Sequence, residues 1–360
     1  MRRAWVVMIF LLTACGGGSS LGPISVSPRP PGPLGDTWTN DGSRWVHESV
    51  SGPSARYFAA LAYDAPRHVF VLFGAQTAGG TSDDTWTWDP RRSKWTEMSP
   101  AHKPPPRRDA AIAYDPGHQV VVLYGGLIPD QAEGIDASDT WTWNGSDWTE
   151  VSEDNNGPGY RSGPRMVTAG NRVLMFGGHI FNTSYFGDAW AWDGVTWSRV
   201  DHGLAPPGRG DAAIAWDPDD SSLFVYGGLG MRPNSGPGNL GLPLGDAWSM
   251  KNGAWRQLPA AGGQIRADAN AIWNQKTNSA VVMFGIACPH LTTAGSSWDG
   301  ARWSSVQVGA SPRWGAAVTQ DGQGNVLVFG GSDESGCCLG RNPRKAMWVA
   351  TGQRLRMLRD

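Results

Sequence analysis

Six arginines punctuate the chain at similar intervals: Arg56, Arg107, Arg161, Arg209, Arg266 and Arg313. A guanidinium carries five donors in a planar fork, which suits it to gripping a carboxylate at both oxygens. Asp109, Asp211 and Asp268 stand two residues beyond three of these arginines. Gathered in one place, these side chains would form a polar ring able to hold a carboxylate, a sugar or an acidic peptide. Spread through a scaffold, the same arginines would bond loop carbonyls and neighbouring aspartates instead. A second candidate is His179, Phe181, Tyr185 and Phe186, whose rings could stack on a sugar face or pack over the base of their own loop. Met231, Arg232 and Asn234 form a third, in a glycine-rich stretch. The seven histidines are dispersed, with no HxH or HExxH pair to put two imidazoles on one metal. No metal, no other cofactor and no catalytic set is expected from these residues.

The elements that must position them come from a repeat of about 51 residues, near the 50 of one known repeat class and longer than the 40 to 45 of another. Each unit opens on its arginine and a short run of small and apolar residues. An apolar run closing on glycine follows, as in VVVLYGG over 120–126. Next comes a polar residue leading to tryptophan (Asp84, Asp139, Asp188, Asp246 and Ser296), and then a closing Trp95, Trp148, Trp197, Trp255 or Trp303. Four short segments rich in β-branched and aromatic residues, separated by Asp-Gly, Asn-Gly and Asp-Pro turns, predict a four-stranded antiparallel meander. The second segment is apolar at nearly every position, as expected of a strand covered on both faces. Trp86, Trp141, Trp190 and Trp248 recur with the repeat and are read as packing residues.

This Arg, Gly-Gly and Trp pattern resembles that of kelch-repeat β-propellers, including the propeller region of galactose oxidase, over about residues 36–358. The resemblance implies an all-β propeller of four-stranded antiparallel blades. If the hairpin 36–49, ending its first strand pair at Trp45, completes the blade begun by 313–331, the ring has six blades and the last hairpin, with Leu355 in the tryptophan place, is left over. If both terminal hairpins are integral there are seven; six is the favoured count. The copper chemistry of galactose oxidase is not implied, because no cysteine stands beside a suitable Tyr/His cluster.

In such a meander the turns after strands one and three share one rim, and the connections after strands two and four share the other. The second rim carries nearly all the extra sequence (75–83, 127–138, 179–187, 229–245, 287–296 and 332–345), so a binding site is expected there, near the central channel. The six arginines are expected to approach that mouth, whereas His68 and His118 fall in turns of the opposite rim.

Composition narrows the class further. With 40 % hydrophobic residues beside 49 Gly and 26 Pro, the chain is neither disordered nor a helical bundle. A formal charge of −2 without a basic run argues against nucleic acid as a partner. Residues 1–14 have the basic start and short apolar run of a signal peptide. Leu12-Thr13-Ala14-Cys15 resembles the lipobox of bacterial lipoproteins, which implies cleavage before Cys15, acylation of it, and anchoring to a membrane of the bacterial cell envelope. Residues 15–35 then read as a Gly/Ser/Pro-rich tether, and 36–360 as the propeller. Cys288 and the pair Cys337-Cys338 fall in equivalent loops of adjacent repeats, so a disulfide from Cys288 to one of the pair is expected in an oxidising compartment. The expected protein is a monomeric, lipid-anchored extracytoplasmic module that binds a glycan or envelope protein on its long-loop rim. The alternative is a carbohydrate-active enzyme, of oxidase or mutarotase type, at the same channel mouth.

Overall fold

The computed structural model describes residues 32–129, 134–152, 157–180, 183–230, 241–260, 265–287, 290–291 and 294–333. The signal peptide, Cys15, the tether up to residue 31, Phe181, Met231, Arg232, Asn234, all three remaining cysteines and the final hairpin lie outside them.

Every element among the described residues is a strand. Ala60–Asp64, Val69–Thr77, Gly80–Asp89 and Lys94–Met98 make the first four-stranded meander, and Ala111–Asp115, Val120–Tyr124, Thr140–Trp143 and Trp148–Ser152 the second. Three more begin at Arg165–Ala169, Ala213–Asp217 and Asn270–Asn274. The sixth is assembled from both ends of the described chain. Val326–Phe329 pairs with Ala317–Gln320 on one side and with Thr37–Asn40 on the other, with Thr37 opposite Phe329 and Asn40 opposite Val326. The hairpin 36–49 therefore completes the sheet begun by 313–331. The first strand of each sheet packs on that of the next, and Ala317–Gln320 returns to Ala60–Asp64, closing a ring of six sheets among the described residues.

The core lies between the sheets. Six apolar clusters each join two neighbours; one, for instance, sets Val71 and Phe73 of the first sheet against Ile112, Leu123 and Trp143 of the second. Because a second strand meets a sheet on both faces, Val121, Val122 and Leu123 are wholly buried, as the unbroken apolar run predicts.

The repeat arginines hold this ring together, bonding neighbouring aspartates and loop carbonyls as the scaffold alternative has it rather than forming an open polar ring. None is more than 2 % exposed. Arg107 sets its two terminal nitrogens on the two carboxylate oxygens of Asp139 at 2.5 and 2.7 Å, and also donates to the Gly125 carbonyl at 3.0 Å. The same fork joins Arg56 to Asp84, Arg161 to Asp188, Arg209 to Asp246 and Arg313 to Asp36. The indole N–H of Trp38, Trp86, Trp141, Trp190 or Trp248 reaches the same carboxylate at 2.6–2.7 Å. Burial disfavours the charged aspartates, but the arginine bonds and charge outweigh it, leaving Asp36, Asp84, Asp139 and Asp246 below the usual carboxylate range.

Each arginine also ties neighbouring sheets through its backbone. The Gly126 N–H donates to the Arg161 carbonyl at 3.0 Å, and equivalent bonds reach Arg56, Arg107, Arg209, Arg266 and Arg313. Glycine holds five of the six crossings: Gly125 has φ +64°, and a Cβ there would lie 2.6 Å from the Arg161 oxygen. In the fifth sheet Phe284 takes the equivalent place with φ +60°.

That sheet corrects the repeat alignment. Val282 faces Ser296 as Val225 faces Trp248, so Ser296 holds the tryptophan position and Ala294 the aspartate position. Arg266 there donates to the Ala294 and Phe284 carbonyls.

Asp139→Ala should leave the Arg107 charge buried without its carboxylate and cost about 3–5 kcal/mol in urea unfolding, whereas Arg107→Met with Asp139→Leu should recover most of that.

Candidate functional site

The residues two beyond the arginines are Phe58, Asp109, Gly163, Asp211, Asp268 and Gly315, and all six adopt left-handed backbone, with φ between +52° and +64°. Asp tolerates this conformation better than most residues, which gives the recurring aspartate a conformational reason. Their amides pass hydrogen bonds around the axis: Phe58 donates to Gly315, Asp109 to Phe58, Gly163 to Asp109 and Asp211 to Gly163, at 2.8–3.0 Å. Three buried carboxylates are thereby brought to the loop-side end of the channel.

Arg165 stands among them. Where other inner strands begin with Ala60, Ala111, Ala213, Asn270 or Ala317, the third begins with this arginine, whose guanidinium reaches Asp211 at 2.9 Å and Asp109 at 3.3 Å. One cation faces three acids. Burial and the Asp109 charge raise Asp211 well above the ordinary carboxylate value, with Arg165 opposing. The same causes push Asp268 up to about 7. Asp268 is 6 % exposed, and its Oδ1 has no hydrogen-bond partner within the described residues. It lines a cavity of about 90 Å³ together with Phe58, Asp109 and Arg165. Beside it, Tyr57, Phe58 and Trp314 form an aromatic cluster with ring centroids 5.2–5.6 Å apart.

The other sequence candidates divide between scaffold and rim. Small hairpins crown the loop side, such as Leu127–Ile128 with Ile135–Asp136 and His179–Ile180 with Ser184–Tyr185. In the latter the His179 and Tyr185 rings lie 5.5 Å apart. The Tyr185 hydroxyl accepts the Gly241 N–H at 3.0 Å, and burial raises its pKa. His179 has Nε2 3.3 Å from the Ser162 hydroxyl, and burial holds its pKa below the ordinary value despite Asp109 and Asp136 nearby. Phe186 lies against the repeat arginine, its ring centroid 4.2 Å from the Arg161 guanidinium carbon, so it joins the scaffold. His68 and His118 are exposed on turns at the far rim. Among the described residues no group of three or more His, Cys, Asp or Glu side chains is spaced to hold a metal.

Arg165 is the site residue that sequence reasoning missed. Its signal was a break in the repeat, a long cation at a place the other units fill with alanine or asparagine. Because the Asp268 pKa is raised, the folded chain binds that proton more tightly than the unfolded chain, and stability falls as pH rises from about 4 through about 7. Asp268→Asn should therefore gain melting temperature relative to the parent between pH 5 and pH 8, as followed by circular dichroism.

Comparison with known proteins agrees with this architecture. Residues of the chain align, at 26 % identity over 145 residues, with tRNA wybutosine-synthesizing protein 4 of Aspergillus fumigatus, covering 39 % of this chain and 14 % of that protein. Serine/threonine-protein phosphatase BSL2 of Arabidopsis thaliana is 30 % identical over 198 residues, 52 % of this chain and 18 % of its own. The alpha chain of the flagellar outer arm dynein of Chlamydomonas reinhardtii is 34 % identical over 120 residues, 31 % of this chain and 2 % of its own. The chain thus spans less than a fifth of each of these relatives. The family model described as the KLHDC2/KLHL20/DRC7 Kelch-repeats domain matches residues 67–285, more than half of the chain. Ring closure, the repeating buried arginine and this match lead to one assignment: the chain belongs to the kelch-repeat domain family.

Proposed function

We propose that this kelch domain is a binding module whose loop-side channel mouth receives a single cationic group, such as a lysine ammonium, from a protein partner. The observation that carries the reading is the Asp268 carboxyl oxygen, buried with no partner among the described residues, beside a cavity that Phe58 also lines. A carboxylate supplies the charge-assisted bond and an aromatic face supplies the cation–π contact. Burial and mutual repulsion hold Asp211 and Asp268 towards their neutral forms, and an entering cation would favour their ionised forms as Arg165 does. A cavity of about 90 Å³ accommodates a few water-sized groups, which suits the tip of a side chain rather than a sugar ring. The hairpins around it would meet the body of the partner. Glycan recognition, the other expected class, would rely on the rim rings such as His179 and Tyr185.

The module is proposed to be monomeric and to sit outside the cytoplasm, on a bacterial envelope membrane, tethered through acylated Cys15 and the segment that follows it. The lipobox-like Leu12 to Cys15 and the Gly/Ser-rich tether support this placement.

A second reading is favoured by the two raised carboxyls: general acid–base chemistry on a carbohydrate, with Asp268 poised to exchange a proton near neutral pH. The two readings separate in one set of assays. Expressed in a bacterium, the full chain should sediment with membranes and Cys15→Ala should not. The detergent-solubilised chain should capture envelope protein, and both Asp268→Asn and acetylation of the extract's amines should abolish capture. Capture that survives amine acetylation would overturn the cationic-group reading, and turnover of envelope oligosaccharide lost in Asp268→Asn would establish the enzyme instead.

A further inference from the structure

The inner strands enclose a second, larger space at the opposite end of the channel from the mouth just described. Its volume is about 480 Å³, within the range of small-molecule sites. The wall is layered because successive repeats place equivalent residues at equal depth. Nearest the middle is an aliphatic layer of Leu61, Ile112, Met166, Ile214, Ala271 and Val318. Toward the opening comes a belt of Tyr63, Tyr114, Thr168, Trp216, Trp273 and Gln320, each seven residues beyond its repeat arginine. The opening itself is bounded by the turns that carry Ala65, Pro116, Pro218, Gln275 and Gly322.

Charge is withheld from this space. Asp64 accepts from Arg67, Asp115 from the His118 ring, Asp217 from the amides of Asp219 and Asp220, and Asp321 from the amides of Gln323 and Asn325. The acids at the opening are thus engaged by their own turns, and Arg165 at the inner end is engaged by Asp109 and Asp211. Two uncharged groups are not engaged. The indole N–H of Trp273 and the amide oxygen of Gln320 are both buried with no hydrogen-bond partner among the described residues, and both residues line the belt, on adjacent sheets. Leaving a buried donor and a buried acceptor unsatisfied is unfavourable, so the pair marks where a ligand's polar edge belongs.

We propose that this chamber is a second binding site, taking an uncharged, mainly apolar ring compound that carries one hydroxyl or amide. The apolar body lies on the aliphatic layer between the Tyr and Trp faces, and the polar edge accepts from Trp273 and donates to Gln320. A polyhydroxylated sugar fits poorly, because the aliphatic layer would strip water from hydroxyls without replacing their bonds. An anion is disfavoured by the acidic turns around the opening.

The probes that test this are 2-naphthol, which has one hydroxyl, naphthalene, which has none, and methyl glucoside, each titrated against the full chain by tryptophan fluorescence at pH 7. The chain should bind 2-naphthol more tightly than naphthalene and should not bind the glucoside. Trp273→Phe and Gln320→Leu should each weaken 2-naphthol about fivefold, the loss of one hydrogen bond, while changing naphthalene by less than about twofold. Ala271→Trp, which fills the chamber, should abolish both. Should that variant fail to fold, the two belt variants decide the matter, with melting temperature as the control. Equal affinity for the two aromatic probes, unchanged 2-naphthol binding in both belt variants, tighter binding of the glucoside, or no binding of either aromatic probe would overturn the proposal.

Discussion

The buried fork between a repeat arginine and its aspartate is the interaction on which the ring depends. A guanidinium taken out of water is a large unfavourable term, and it becomes tolerable only where geometry is good and every remaining donor is engaged. Five of the six repeat arginines offset that cost with a carboxylate, Arg266 donating to the Ala294 and Phe284 carbonyls instead, and a forked arginine such as Arg107 spans three levels of structure at once. Its side chain fixes the third strand of its own sheet through the carboxylate, its Nη1 holds the glycine carbonyl at the end of the second, and its backbone oxygen receives the amide of the neighbouring sheet. Tryptophan indoles complete the aspartate shell. The apolar layers between sheets supply the bulk of the stabilisation, but they are non-directional; the polar stitch sets register and spacing.

Once the scaffold is built from repeated parts, individuality is confined to the places where the repeat is broken along the axis. At the loop end, glycine at two of six equivalent positions opens space, aspartate at three fills it with acid, and Phe58 supplies a ring. Arg165 replaces a small residue and partly neutralises that acid. At the other end, six equivalent positions carry Tyr, Tyr, Thr, Trp, Trp and Gln, a belt with aromatic pairs on two sides and, among the described residues, unsatisfied polar atoms at Trp273 and Gln320 on adjacent sheets. The two ends thus have opposite chemical characters, acidic and polar above, neutral and apolar below, with the aliphatic layer between them.

Much of the fold was legible in the residues. Apolar runs ending in glycine marked the covered second strands, tryptophan spacing marked the outer pair, and the hairpin at 36–49 was readable as the missing half of the last sheet. The site was less so, for a physical reason. The sequence brings the arginine backbone close to the channel but does not say which way its side chain turns, and the nearest strong acceptor is the aspartate behind it rather than any ligand ahead. The fifth repeat was set two residues out of register because Ser296 is polar, whereas strand pairing puts Ala294 in the aspartate position. The lower chamber was hidden because its opening is made of short, regular turns, and loop length drew attention to the other rim. Both Arg165 and the belt were nonetheless present in the sequence as departures from the repeat at fixed offsets from each arginine.

The direct measurement of the central claim is arginine-selective modification of the native chain with phenylglyoxal, read residue by residue by mass spectrometry. Exposed Arg44, Arg91, Arg92 and Arg302 should react readily, while Arg56, Arg107, Arg161, Arg209, Arg266 and Arg313 should stay unmodified until the chain unfolds. Reaction of the repeat arginines at the rate of the exposed set would contradict the account, because it would place their guanidinium groups in solvent at the channel mouth rather than within the sheets.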